Sequence, residues 1–543
     1  VYSLDRFSQW ENYAYTPVRG ITPIASVDAE CPNGMTLRSH GVLQYKGEFG
    51  DGDCGSFVAV KDNRFPRPFT GIHIAGNDTH GYGAMISQEK LAKVFAALPI
   101  KGLPILNRGL HEKIVVQGTP RMIPPGIDIV GKVPMQHLPT KSKYLPSPIQ
   151  NRVSPCTDGP SVLTARDTRV EEWPADMPRS PLLIGSSKNA HGAPPLSQTF
   201  VEQLTEILAD RHRQLLPKVE KNLATMDEVL NGNSQKDFWD AMDMNTSAGF
   251  PYADQKPSGE KGKEFFFERD ENERWHFAGE LGLKLEREIQ LYIAMMKKGV
   301  VPALFFKDTL KDEILPMEKI RVGKTRVFRA ASIAYTIIGR MYFLPFIAAK
   351  MKSTQVDFAG NSGVGMNVWG PDWQNLATIL LANSSYCIDA DYKQFDARSH
   401  PQLIMAAVEV INKWFGDSEE NQMVRRVIGE LTIHPYSICG DAMIRTHSGL
   451  PSGTFATCCF NDEFQRFILT SCWLDIMGRR DPELRNVTAF FDNVKFVTFG
   501  DDLIMSVSAA AIEHFTFPAL QEAMERIFGL TMTPAAKVDE GRE

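Results

Sequence analysis

TFGDDLIM, residues 498–505, reads as the tip of a β-hairpin that presents two adjacent carboxylates, Asp501 and Asp502. The arms, 494–499 and 503–507, are rich in Phe, Val and Ile and predict two buried strands. Gly500 permits the tight backbone that sets an acidic pair at the tip. Adjacent carboxylates repel unless water or a cation offsets them, so a hairpin ending this way points to a metal site. Taken alone, Gly-Asp-Asp is equally an ordinary solvated turn.

A second acidic element weighs against the bland reading. SYCIDADYKQFD (385–396) is another apolar strand, delivering Asp391 at its end and Asp396 five residues on. Magnesium takes oxygen ligands from one or two carboxylates plus substrate phosphates. Nucleotidyl transfer with two metals needs carboxylates from separate strands beside one reacting phosphate. Asp391 and Asp501 suit those positions, with Asp502 in support. The competing reading is that Asp389, Asp391 and Asp396 merely solvate a strand end.

Four further segments accompany these two: NTSAGFPY (245–252), KDEILPMEKIRVGKTRVFRAAS (311–332), SGLPSGTFATCCFND (448–462) and GLTMTPAAK (529–537). In this order and spacing the chain resembles the RNA-dependent RNA polymerases of picornavirus-like positive-strand RNA viruses. The resemblance implies an α+β right-hand fold, with fingers and an antiparallel palm sheet backed by helices. It implies RNA template, primer and ribonucleoside triphosphates as partners, with a protein primer as a further possible one. The implied cofactor is Mg²⁺, two ions, with Mn²⁺ as substitute. Asp391, Asp501 and Asp502 are the implied metal ligands.

The same resemblance gives each segment a role. Lys311, Lys319, Lys324 and Arg326 would neutralise the triphosphate, a task suited to Lys and Arg, although such a run is commonly just a solvated basic face. Leu315 departs from the pattern, since many relatives carry Arg there. Asp396, Ser452 and Asn461, with Thr457 in support, would read the ribose 2′-hydroxyl; a deoxynucleotide enzyme would favour a bulky group instead. Lys537 would protonate the departing pyrophosphate. Thr246, Ser247 and Gly249 would guide the template. Phe499 stands where tyrosine is more usual.

The first hundred residues have another identity. GDGDCGSFVAV (50–60) and GIHIAGNDTHGYGAMI (71–86) resemble the C-terminal half of a viral chymotrypsin-like cysteine protease, a partial β-barrel. That resemblance makes Cys54 the nucleophile, with backbone N–H groups near it as oxyanion hole. His73 would line the pocket for a glutamine side chain, and viral polyprotein cleavage sites would be substrates. The expected general base would precede residue 1, and His40 reads as structural or surface. The chain thus reads as a polyprotein slice lacking the first half of the protease and the thumb.

Composition agrees without deciding. The formal net charge of -6 does not oppose nucleic-acid binding if positive charge is concentrated in a channel. The eight cysteines show no paired zinc spacing and suit a reducing compartment, and host cytoplasm at replication complexes is the expected location. No apolar run reaches membrane-span length; 330–351 is broken by Arg340 and Pro345. The expected divisions are 1–98, protease half; 99–195, Pro-rich linker and fingers extension; 196–383, fingers and first palm segment; and 384–543, palm. Gln117–Gly118 is the favoured self-cleavage site, with Gln88 and Gln136 as alternatives. Helical patterns run over 199–231, 277–298 and about 401–429. Rival functions are an uncleaved precursor that binds RNA without synthesis, a protease alone, and a reverse transcriptase.

Overall fold

The computed structural model describes residues 19–30, 36–47, 57–59, 69–77, 79–85, 114, 118–136, 138–152, 155–175, 177–190 and 192–534. The chain divides into two compact units, Val1–Lys101 and Gly102–Glu543.

In the first unit the described strands form one antiparallel sheet in the order Arg19–Glu30, Thr36–Lys46, His80–Met85, Phe69–Gly76, Phe57–Ala59. Leu43, Tyr45 and Val58 make its small buried cluster, with Ile21 and Met85 against them. The described strands make a single five-stranded sheet. Cys54 lies outside the described residues. His40 is exposed, as expected of a surface residue.

The second unit is built around a four-stranded antiparallel sheet ordered Val494–Phe499, Asp502–Val507, Cys387–Tyr392, Met532–Pro534. Its strands alternate strictly. Val494, Phe496, Leu503, Met505 and Val507 enter the main core, where the helix Thr457–Arg480 lies against them. Val497 and Ile504 point to the opposite face and meet Leu376 and Leu380 of the helix Asp372–Asn383. Apolar cover on both faces explains why these strands read as nearly continuous hydrophobic runs.

A second, five-stranded sheet runs Val327–Ala331, Phe305–Leu310, Tyr436–Cys439, Ala442–Arg445, Asp128–Lys132. Its last strand comes from the Pro-rich stretch, which therefore contributes structure as well as connection. Pro124, Pro125 and Pro134 flank that strand, which sits at the sheet edge where a missing N–H is tolerated. The Asp441 carboxylate accepts from the Arg121 and Met122 amides at 3.0 and 2.8 Å and anchors the approach to the strand. A further pairing joins Asp158–Pro160 to Ile314–Pro316.

The helices follow local signals more finely than the expected spans. The pattern over 199–231 splits into Gln198–Leu215 and Met226–Asn231. Pro217 disfavours helix at Leu216, and Thr225 with Glu228 forms a capping box that starts the second piece. The span near 401–429 becomes Pro401–Phe415 and Glu419–Ile433, divided at Gly416 with φ +64°. Gly279–Lys297 answers to 277–298. Ile333–Lys352 is a buried helix. Among the described residues no helix is long and apolar enough to cross a membrane.

Candidate active site

The hairpin closes through the pair Phe499↔Asp502, which leaves Gly500 and Asp501 as a two-residue loop. Gly500 takes φ +68° while Asp501 does not enter the left-handed region, the pattern of a type II′ turn. The neighbouring ladder ends with Ala390↔Leu503, so Asp391 lies one step beyond, level with Asp502. On its other side Asp391 pairs with Thr533. Register thus gathers Asp391, Asp501 and Asp502 at one end of the sheet. Asp391 is half-buried and the other two are exposed.

These carboxylates feel one another. Burial first, then the charges of Asp501 and Asp391, hold the Asp502 carboxyl above its usual range. Among the described residues none of the three forms an ion pair. Nor do any three His, Cys, Asp or Glu side chains there converge as a preformed metal cage. Hard oxygen donors on two strands, mutually repelling and without a cationic partner, fit Mg²⁺. That ion is commonly held by one or two carboxylates together with substrate phosphates and water.

Beside the acidic end, Asn461 Nδ2 donates to Asp396 Oδ1 at 2.9 Å. Asn461 is buried, and its Oδ1 has no hydrogen-bond partner among the described residues. Burial raises the Asp396 pKa; the Asn461 hydrogen bond and the charges of Lys188 and Arg326 act against that rise. A cleft here is lined by Lys188, Arg329, Asp396, Leu450 and Ser452. Thr457 serves the loop itself: its hydroxyl donates to Pro451 O at 3.2 Å and accepts from the Thr454 amide. Gly453 lets that loop touch the strand Val327–Ala331, since a Cβ there would fall 2.7 Å from Arg329 O.

The basic segment divides into distinct environments. Lys311 and Arg326 share Glu313 at 3.2 and 3.4 Å, Lys319 is half-buried and Lys324 exposed. Leu315 is buried in an apolar cluster with Val162 and Ile320, with Val170, Trp173 and Met317 packed against it. Arg329 is a buried anchor: it pairs with Asp308 at 2.7 Å and donates to Thr446 at 2.8 Å. Thr246 and Ser247 are exposed, whereas Gly249 is buried with φ +69° against Ala331. Lys537 lies outside the described residues.

In the first unit His73 is buried, with Nδ1 at 2.7 Å from the Tyr45 hydroxyl. The cleavage alternative Gln136 is only 5% exposed, and its Oε1 accepts from Lys307, which makes it a poor cut site. Gly118 is exposed, while Gln117 and Gln88 lie outside the described residues. Three residues near the site escaped sequence reasoning. Lys188 sits in the Pro-rich stretch without a local signal. Asp462 and Gln465 lie three positions apart on the helix that carries Asn461, the spacing that puts the two on one face.

Residues 148–542 match the family described as viral RNA-dependent RNA polymerase. The chain is 28% identical over 509 residues to the replicase polyprotein of Drosophila C virus (strain EB), covering 89% of this chain and 28% of that protein. It is 28% identical over 521 residues to the genome polyprotein of Deformed wing virus, covering 91% and 17%. To the genome polyprotein of Rice tungro spherical virus (strain Vt6) it is 27% identical over 518 residues, covering 91% and 15%. The chain thus spans at most 28% of the length of these relatives. The solved Sicinivirus 3Dpol RNA dependent RNA polymerase superposes with a TM-score of 0.61 at 20% identity, covering 77% of this chain and 78% of that one. The second unit has that mixed α+β right-hand fold.

Proposed function

The chain belongs to the viral RNA-dependent RNA polymerase family, and on that premise we propose that it extends an RNA primer on an RNA template from ribonucleoside triphosphates. The observation that carries this reading is one juxtaposition. The acidic end of Asp391, Asp501 and Asp502 lies on the same sheet as the strand leading to Asp396, whose partner Asn461 keeps a buried carbonyl oxygen with no partner among the described residues.

Asp391 and Asp501 would hold two Mg²⁺ ions, with Asp502 supporting them. When bound, the metal would activate the primer 3′-hydroxyl and offset triphosphate charge. Asp396 and Asn461 form a polar pair that a ribose 2′-hydroxyl can complete and a deoxyribose cannot, with Ser452 on the cleft wall. Lys311, Lys319, Lys324 and Arg326 supply positive charge for the phosphates. Thr246, Ser247 and Gly249 would guide the template, and Lys537 would donate a proton to the leaving pyrophosphate. Replication of a positive-strand viral genome in the host cytoplasm is the biological role consistent with these relatives.

The test is single-nucleotide extension, with Asp501→Asn run beside the wild type. Mg²⁺-dependent addition of rNTP over dNTP, lost in the variant, is the expected result. Extension that survives Asp501→Asn would overturn the metal assignment, and absence of extension by a folded, RNA-binding wild type would overturn the polymerase reading.

For the first unit we propose descent from a polyprotein-processing cysteine protease, with Cys54 as nucleophile and His73 in the substrate pocket. Two points support it: the tyrosine hydroxyl that orients the buried His73, and relatives that match 89–92% of the chain, more than the second unit alone makes up. Cleavage at Gln117–Gly118 in a polyprotein that carries this chain, abolished by Cys54→Ala, is the expected outcome. An uncut chain would remove the proposal.

A further inference from the structure

The side chains the chemistry needs stand on separate elements: Asp391 on a strand, Asp501 on a turn, Asn461 on a helix. Their spacing must therefore be set by contacts between those elements. Two buried side chains of the helix Thr457–Arg480 supply such contacts. Asp462 Oδ1 accepts from the Gly500 amide at 3.2 Å and from the Thr498 hydroxyl at 2.9 Å, and its other oxygen accepts from the Ser362 hydroxyl. Gln465 Nε2 donates to Gly500 O at 2.7 Å and to Asp502 O at 3.4 Å, while its Oε1 accepts from the Tyr392 hydroxyl at 3.2 Å.

The Gly500 residue is therefore gripped at both its N–H and its C=O by side chains one helical turn apart. Gln465 also reaches across to Tyr392, the residue after Asp391. Closing a hairpin requires none of this, because a two-residue turn satisfies itself and leaves its outward groups to water. Burying a carboxylate and an amide is costly unless every polar atom is bonded, and here every contact except the one with Ser362 falls on the acidic hairpin or on Tyr392.

We propose that Asp462 and Gln465 are positioning residues: they fix the spacing of Asp391 and Asp501 and tie it to the helix carrying Asn461. Sugar recognition and carboxylate placement then move as one body. The inference rests on the polymerase reading above.

The test uses the polymerase carrying this chain as wild type, Gln465→Glu, Asp462→Leu and Asp462→Asn. Gln465→Glu keeps an acceptor for Tyr392 and removes the donor to Gly500. Nucleotide addition, Mn²⁺ binding to the idle protein by EPR, and thermal melting are measured for each. Outer-shell partners of metal ligands typically contribute about 10–100-fold to affinity or activity, so Gln465→Glu and Asp462→Leu should lose about that factor in kcat and in Mn²⁺ affinity. KM for primer–template should stay unchanged. Asp462→Asn, whose carbonyl still accepts from Gly500 N–H, should recover most of both. Should Gln465→Glu or Asp462→Leu fail to melt cooperatively, Tyr392→Phe removes a single hydroxyl of the clamp and should lower Mn²⁺ affinity alone by about 3-fold, the loss of one neutral hydrogen bond.

Folded variants that bind Mn²⁺ and add nucleotide as wild type does would overturn the proposal. So would an Asp462→Asn as damaged as Asp462→Leu. A wild type that binds Mn²⁺ but never extends a primer would instead overturn the polymerase reading, and the binding comparison would still judge the clamp.

Discussion

Asn461 donates to Asp396 across 2.9 Å, and its own Oδ1 remains buried with no partner among the described residues. An unpaired buried acceptor costs about 1–3 kcal/mol, so a substrate hydroxyl that fills it gains that amount over one that cannot. Asn461→Ala or Asp396→Ala should therefore reduce the preference for rNTP over dNTP by about 10–100-fold, with dNTP addition little changed. Paired kcat/KM measurements on the two nucleotides check this. An unchanged ratio would remove both residues from ribose recognition.

Asp501 and Asp502 share the hairpin tip but differ in attachment. Asp501 lies in the loop, whereas Asp502 begins the strand and pairs with Phe499. Loss of a metal ligand removes several kcal/mol of charge stabilisation, about 10³-fold in rate. Asp501→Asn should show that loss, and Asp502→Asn a smaller one. Chelation of divalent ions should stop extension by wild type while leaving RNA binding in place. Equal defects in the two variants would contradict the ordering.

Leu315 packs with Val162 and Ile320, at the position where the family resemblance led to the expectation of arginine. Introducing that arginine should not add a phosphate contact. Leu315→Arg would bury a guanidinium without a partner, and breaking a site in this way costs about 3–5 kcal/mol. Urea titration should show a lowered midpoint. A variant as stable as wild type with tighter rNTP binding would show that the segment reorients freely.

His212 and Asp462 are both enclosed and titrate in opposite senses. Burial lowers His212 from 6.5 to about 4, with Glu463 at 2.9 Å pulling it back. Burial raises Asp462 from 3.8 to about 6, against the charge of Lys350 and hydrogen bonds from Ser362 and Thr498. Between those limits the unfolded chain holds the extra proton on His212, so that group makes stability rise with pH. The folded chain holds the extra proton on Asp462, so that group makes stability fall with pH. The two slopes largely cancel. Measured against wild type from about pH 4 to about pH 6, His212→Gln should lose stability and Asp462→Asn should gain it, each by roughly 3 kcal/mol. Melting curves across that range check it, and three parallel pH profiles would refute the opposed pair.

Much of this was legible in the chain because its causes are local. The apolar arms and Gly500 at the turn are properties of neighbouring residues, and they form where expected; the capping box of Thr225 and Glu228 is as local, although the sequence reading passed over it. Pro217 and Gly416 were equally local, and they divide helical patterns that hydrophobic periodicity alone ran together. The acidic pair and the Asn461 segment stand out as motifs for the same reason.

Other features depended on which distant segments meet. The level placement of Asp391 with Asp502 is a matter of strand register, and a one-residue slip would turn Asp391 to the other face. The Pro-rich stretch became an edge strand and brought Lys188 to the cleft, Leu315 turned inward, and Asp462 and Gln465 found their partners in a hairpin more than thirty residues on. Sequence determined which groups are available and the turns that present them. Tertiary structure decided their partners, because a buried polar group must be satisfied by whatever folding brings within hydrogen-bond reach, and chain distance carries no record of that.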